Sequence, residues 1–172
     1  IGKLGTRSAD AVLARADVLG LKVIWALETH AHADHLSAAN HVRKLTGARI
    51  GIGSRITEVQ TQFRAMFGAP EAETEGAVFD RLFADGDTFR IGEVEARVMH
   101  TPGHTPACVT YVIQDAAFVG DTLFMPDYGT ARADFPGGDA AALYRSIRAI
   151  LALPEETRVF VGHDYLPAGR DT

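Results

Sequence analysis

The chain has 172 residues, 47% of them hydrophobic and 23% charged, which suits one soluble domain with a real core. A net charge of −5 without any Lys/Arg run excludes a broad basic face for nucleic acid. No apolar stretch is long enough to span a bilayer, no signal-peptide pattern opens the chain, and the single cysteine excludes a disulfide framework and fits a reducing cytoplasm.

In chain order, Ser8 is placed to cap a helix from Ala9 to about Leu19, with Gly20 as its stop. The apolar run Val23-Ile24-Trp25-Ala26-Leu27 predicts a buried strand, and Ser37 to Leu45 predicts a helix ended by Gly47. A short strand, Ala48 to Ile52, follows, so strand, helix and strand succeed one another as in a parallel crossover. Ile56 to Phe67 reads as a helix carrying Val59, Phe63, Met66 and Phe67 on roughly one side. Gly68 to Gly76 is acidic, holds Pro70 and predicts an exposed connection.

The periodicity then changes. Phe79–Phe83, Thr88–Ile91 and Val94–Met99 predict short strands joined by turns at Asp85-Gly86-Asp87 and Gly92-Glu93. Cys108–Ile113 and Ala117–Gly120 follow around a turn at Gln114-Asp115, with Cys108 expected as a packed strand residue. After a stretch rich in Gly, Pro and Asp, Asp139 caps a helix from Ala140 to Leu153 ended by Pro154, and Val159-Phe160-Val161 is the last strand. The expectation is a layered α/β domain over residues 1–172, with sheets packed between helices. Beginning at Ile1 and ending in a loop-like segment, it is expected to be truncated at both ends.

Chemistry concentrates at strand exits. After the first strand come His30, His32, Asp34 and His35, spaced H-x-H-x-D-H, where α/β folds place their sites. Val98-Met99-His100-Thr101-Pro102-Gly103-His104 repeats the arrangement, with His104 aimed inward by the Pro-Gly turn and His100 expected to be structural. Asp121 follows the strand ending at Gly120, and His163 follows the last strand. A solitary carboxylate after a strand is ordinarily a cap, but a fourfold strand-to-ligand pattern raises Asp121 above that reading. The set contains imidazole and carboxylate and no thiolate, which suits catalytic Zn²⁺, Fe²⁺ or Mn²⁺ and argues against a closed structural zinc site.

H-x-H-x-D-H, T-P-G-H-T, G-D and G-H, spread over residues 22 to 165, resemble the motifs of the metallo-β-lactamase superfamily. The resemblance implies an αββα four-layer sandwich with the site at one edge of its two sheets, here lacking the first strands. Within the superfamily, Met125-Pro-Asp-Tyr-Gly-Thr-Ala-Arg-Ala-Asp-Phe-Pro-Gly-Gly138 and Gly162-His-Asp-Tyr165 are most similar to the persulfide dioxygenases. That resemblance implies one Fe²⁺ held by His30, His104 and Asp121, with glutathione persulfide and O₂ as substrates. His32, Asp34, His35 and His163 would then orient the ligands and water.

Tyr165 is a candidate to hydrogen-bond near the open coordination positions, or else a core tyrosine. Arg132 either contacts a substrate carboxylate or pairs with Asp134, and Tyr128 and Phe135 line the mouth or pack the loop. The alternative within the superfamily is a two-metal glyoxalase II-type hydrolase. In it His30, His104 and His32 hold one Zn²⁺, Asp34, His35 and His163 the other, and Asp121 bridges them. A metal-binding module without turnover is a third possibility. A homodimer is among the expectations; nucleic acid and membrane partners are not.

Overall fold

Two β-sheets face each other across a cluster of aromatic rings in the computed structural model, which describes residues 5–31, 36–71, 74–134, 136–166 and 169. The first sheet holds β1 (Trp25–Leu27), β2 (Arg49–Gly53) and β3 (Arg81–Phe83), parallel and in that order. The second holds β4 (Thr88–Ile91), β5 (Val94–His100), β6 (Val109–Ile113), β7 (Ala116–Gly120) and β8 (Arg158–Val161). Its neighbours are antiparallel except for the parallel pair β7 and β8. The helices are α1 (Arg7–Val18), α2 (Ala39–Thr46), α3 (Ile56–Met66) and α4 (Ala140–Ile150).

Alternation decides which side chains meet. In β5, Ala96 and Val98 are buried while Glu95 and Arg97 are exposed, the period of a strand with one covered face. The inward residues of both sheets form one cluster, in which the Phe83 ring lies 4.7 Å from Phe89, 5.8 Å from Tyr111 and 5.9 Å from Trp25 between centroids. Gly51 makes this possible: a Cβ there would fall 2.5 Å from the Phe83 ring. On the outer face of the first sheet, Ile52 packs with Ile56 and Val59 of α3. On the outer face of the second, Ala117 and Val119 pack with Ile150 of α4. Helix, sheet, sheet and helix are thus stacked in the order expected from the motifs.

Several boundaries differ from expectation. α1 starts at Arg7 with Thr6 at its cap position, and the Thr6 hydroxyl bonds the Asp10 carboxylate at 2.8 Å. Ser8 therefore lies inside the helix. None of the α1 residues is buried, and Val12 and Val18 are 67% and 76% exposed. On α3 Val59 is buried and Phe63 packs against the same cluster, but Met66 and Phe67 at its end face outward. α4 stops at Ile150, and the chain tightens into turns through the Ala152 N–H to Ala149 O and Leu153 N–H to Ile150 O bonds before Pro154. The strands on either side of the Asp85-Gly86-Asp87 turn do not pair, since β3 and β4 belong to different sheets. Gly47 ends α2 in the left-handed conformation at φ 73°, and Asp139 caps α4 by accepting the Ala142 N–H at 2.9 Å.

Candidate metal centre

Four strand exits deliver the donors to one end of the sandwich. His30 follows β1 on a segment tied down twice: the Val109 N–H donates to Thr29 O at 2.9 Å, and the Tyr111 hydroxyl donates to Glu28 O at 3.0 Å. His104 sits in the loop between β5 and β6, backed by α4: the Ser146 hydroxyl donates to Pro102 O at 2.7 Å. Gly103, at φ 132°, allows that packing, because a Cβ would lie 2.3 Å from Leu143 N. Asp121 leaves β7 directly, and His163 leaves β8 beside it, joined by the Gly162 N–H to Gly120 O bond of 2.8 Å. Gly162 is required there, since its Cβ would fall 2.3 Å from Asp121 Oδ1.

The Nε2 atoms of His30, His104 and His163 lie 3.6, 3.7 and 3.5 Å from Asp121 Oδ2. Those separations exceed a good hydrogen bond and resemble neighbouring donors around a shared cation. His30, His104 and Asp121 are 5%, 4% and 5% exposed, with donor atoms all within 4.8 Å of one another. The His163 side chain is 32% exposed and stands at the open side.

The outer ring nitrogens show how the inner ones are aimed. His104 Nδ1 is 2.9 Å from the Arg132 carbonyl oxygen. A carbonyl only accepts, so Nδ1 carries a proton and Nε2 is the ring nitrogen turned toward Asp121. His30 Nδ1 is 3.2 Å from the Thr29 hydroxyl. The donor chemistry fits a divalent cation: a buried carboxylate and two imidazoles, one with its tautomer set, form a group able to hold a metal ion.

Other expected residues divide. His32, Asp34, His35 and Phe135 lie outside the described residues. Arg132 pairs with Asp134 inside the loop through two bonds, Nε to Oδ1 at 2.6 Å and a terminal nitrogen to Oδ2 at 3.0 Å. Tyr165 is 50% exposed and is not a core tyrosine; it faces a cavity of 430 Å³ floored by His104 and Asp121. Tyr128 also lines that cavity. His100 Nε2 lies 2.8 Å from Pro106 O, a bond across the loop that carries His104. Cys108 is buried, and burial pushes its thiol up to about 11, which keeps it from acting as a nucleophile at neutral pH. Sequence reasoning missed the Arg132 carbonyl and the wall formed by Phe124; a main-chain acceptor carries no side-chain signal, and Phe124 reads as ordinary apolar loop.

A family model described as the metallo-beta-lactamase superfamily matches residues 4–163. The chain belongs to the metallo-beta-lactamase superfamily. Among curated members, a "Beta-lactamase hydrolase-like protein" of Xylella fastidiosa is 57% identical over 98% of this chain and 39% of its own length. "Glyoxylase B2" of Dictyostelium discoideum is 46% identical over 98% of this chain and 59% of its own. "Persulfide dioxygenase ETHE1, mitochondrial" of Homo sapiens is 34% identical over 94% of this chain and 56% of its own. The chain thus spans 39% to 59% of the length of these three superfamily relatives. Among solved structures of the fold, ETHE1 from Myxococcus xanthus superposes with a TM-score of 0.76 at 30% identity, covering 97% of this chain and 70% of that one. Among the described residues no helix is long and apolar enough to cross a membrane.

Proposed function

We propose that this superfamily domain is the metal-binding part of a non-haem iron persulfide dioxygenase, with His30, His104 and Asp121 as the ligands of one Fe²⁺. The supporting observation is the burial pattern: of the four converging side chains, only those three are withdrawn from solvent, and His163 remains at the open side. Two histidines and one carboxylate with positions left free form the ligand set of non-haem Fe(II) oxygenases. The similarity to a protein named persulfide dioxygenase, and the loop from Met125 to Gly138, support the same reading.

The substrate is glutathione persulfide or a similar low-molecular-weight persulfide. Persulfide, O₂ and water become the thiol and sulfite: the terminal sulfur loses four electrons to O₂ and the sulfur–sulfur bond breaks. Bound iron supplies the redox chemistry toward O₂ that zinc lacks. The protein's own groups bind and orient. The Arg132 carbonyl holds the His104 proton on Nδ1, Thr29 steadies His30, and His163 and Tyr165 border the side from which substrate enters.

A second reading is a dinuclear hydrolase of the glyoxalase II type. It is favoured by the relative named glyoxylase and by the 3.5 Å approach of His163 to Asp121, which would let the carboxylate bridge two ions. The two are separated by purifying the full-length protein without oxygen and following O₂ with glutathione persulfide and thiol release from a glutathione thioester. O₂ uptake matched by sulfite supports the dioxygenase. Thioester cleavage without O₂ uptake supports the hydrolase.

A further inference from the structure

A row of buried hydroxyls links the strand exits that carry His104 and Asp121. Thr101, Thr110 and Thr122 are each 0% exposed. The Thr101 and Thr110 hydroxyls lie 3.0 Å apart, and the Thr122 hydroxyl donates to Thr101 O at 3.1 Å, with Thr101 Oγ1 at 3.4 Å. Valine has nearly the shape of threonine, and a hydroxyl shut away from water costs free energy unless it is bonded. At such positions it is the bonds that set threonine apart from valine.

Thr122 uses all of its polar groups, and each engages a different part of the site. Its N–H donates to Val119 O at 3.2 Å, closing the main-chain turn that carries Asp121. Its hydroxyl holds the carbonyl of Thr101, three residues before His104. The pairing of β5 with β6 runs to His100 and Val109, and beyond it the Thr101 N–H donates to Cys108 O at 2.9 Å while the Thr101 carbonyl turns to Thr122. The carbonyl of Thr122 accepts the Thr130 hydroxyl at 2.9 Å. Thr130 stands two residues before Arg132, whose own carbonyl receives the His104 Nδ1 proton. The contacts close into a ring: Asp121 and Thr122 to Thr101 and His104, His104 to Arg132, and Thr130 back to Thr122.

We propose that Thr122 is a positioning residue of the metal centre. Through one hydroxyl and one carbonyl it sets the approach of His104 to Asp121, 3.7 Å between Nε2 and Oδ2, and fixes the loop that orients the His104 ring. It acts through the main chain of its partners and touches no reacting atom. The inference rests on His104 and Asp121 being metal ligands, and it holds for one iron or two zinc ions alike.

The test loads the full-length protein with Co²⁺, whose visible absorption reports the arrangement of its ligands. Thr122→Val keeps the shape and removes the hydroxyl; Co²⁺ binding about tenfold weaker, at the low end of the loss for an outer partner, is expected together with shifted visible bands. Thr122→Ser, which keeps the hydroxyl, should restore both. Thr110→Val removes a hydroxyl of equal burial that makes no bond to Thr122, and should leave affinity and bands as in the native protein. Thermal melts of the metal-free proteins read the packing contribution separately. Thr130→Val cuts the second Thr122 bond from an exposed position, which keeps the proposal testable if Thr122→Val does not fold; a smaller loss in the same direction is expected. Unchanged Co²⁺ affinity and bands in Thr122→Val and Thr130→Val, or an equal loss in Thr110→Val, overturn the proposal and leave the ligands in place. So does a Thr122→Ser protein that binds no better than Thr122→Val. A native protein that takes up no Co²⁺ overturns the metal centre itself, and the positioning role with it.

Discussion

His104 donates its Nδ1 proton to the main-chain carbonyl of Arg132 across 2.9 Å, linking the β5–β6 loop to the loop that follows β7. The bond decides which ring nitrogen faces Asp121, so a segment remote in sequence controls the chemistry of a proposed metal ligand. Arg132 thus acts through its backbone while its side chain is occupied by Asp134.

Shortening the loop after β7 so that the Arg132 carbonyl no longer reaches His104 should weaken metal binding about 10–100-fold, the range for loss of an outer partner. Metal titration of the shortened protein, with circular dichroism to show that the fold is retained, measures it. Unchanged affinity would mean that His104 needs no such orientation.

Gly162→Ala puts a Cβ 2.3 Å from Asp121 Oδ1. Asp121 must then rotate or β8 must move away from Gly120. Reduced metal content in a protein that still folds cooperatively is the expected outcome, read by metal analysis beside a thermal melt. Retention of full metal occupancy would show that the carboxylate has more room than the packing implies.

The parallel arrangement of strand exits was legible because metal-binding side chains are rare after apolar runs, and four such runs end in one. The inner sheet residues were legible too, from the alternation that buries Ala96 and Val98 and exposes Arg97. What could not be read was non-local. Nothing in the sequence around Asp85 says that β3 and β4 enter different sheets, because that depends on which strand Phe83 finds beside it. Nor does Gly162 announce that its missing Cβ makes space for Asp121, a residue of another strand. The outward-facing apolar residues of α1 look, in sequence, like any core stripe; Val18 shows that a periodic pattern names a face without naming what covers it.

Ser146→Ala removes the bond from the α4 hydroxyl to Pro102 O and leaves that part-buried carbonyl without this donor. A loss of about 1 kcal/mol is expected from denaturant unfolding, as for an ordinary internal hydrogen bond. Phe83→Ala should be far more costly, about 3–5 kcal/mol, because its ring touches Trp25, Phe89 and Tyr111 between the sheets. If the two variants lose similar amounts, the aromatic cluster is not the principal source of cohesion.

Acid should loosen the first sheet through Asp80. The Ile50 N–H bond, 2.6 Å long, and next the Arg43 guanidinium hold this carboxyl below the usual carboxylate range. Its unfolded form takes up a proton at higher pH, near about 4, than the folded form does. The contribution is therefore complete above that pH and disappears as the pH falls through the depressed folded value. Urea midpoints measured from pH 7 down to 3 should fall less steeply in Asp80→Asn than in the native protein. Parallel curves would contradict the assignment.

The most direct test of the account is the metal content of the full-length protein, purified without oxygen, beside its His30→Ala, His104→Ala and Asp121→Ala variants. One iron per chain in the native protein, lost from each of the three variants together with persulfide-dependent O₂ uptake, is the predicted result. Two zinc ions per chain, or iron retained when any of those three side chains is removed, would contradict it.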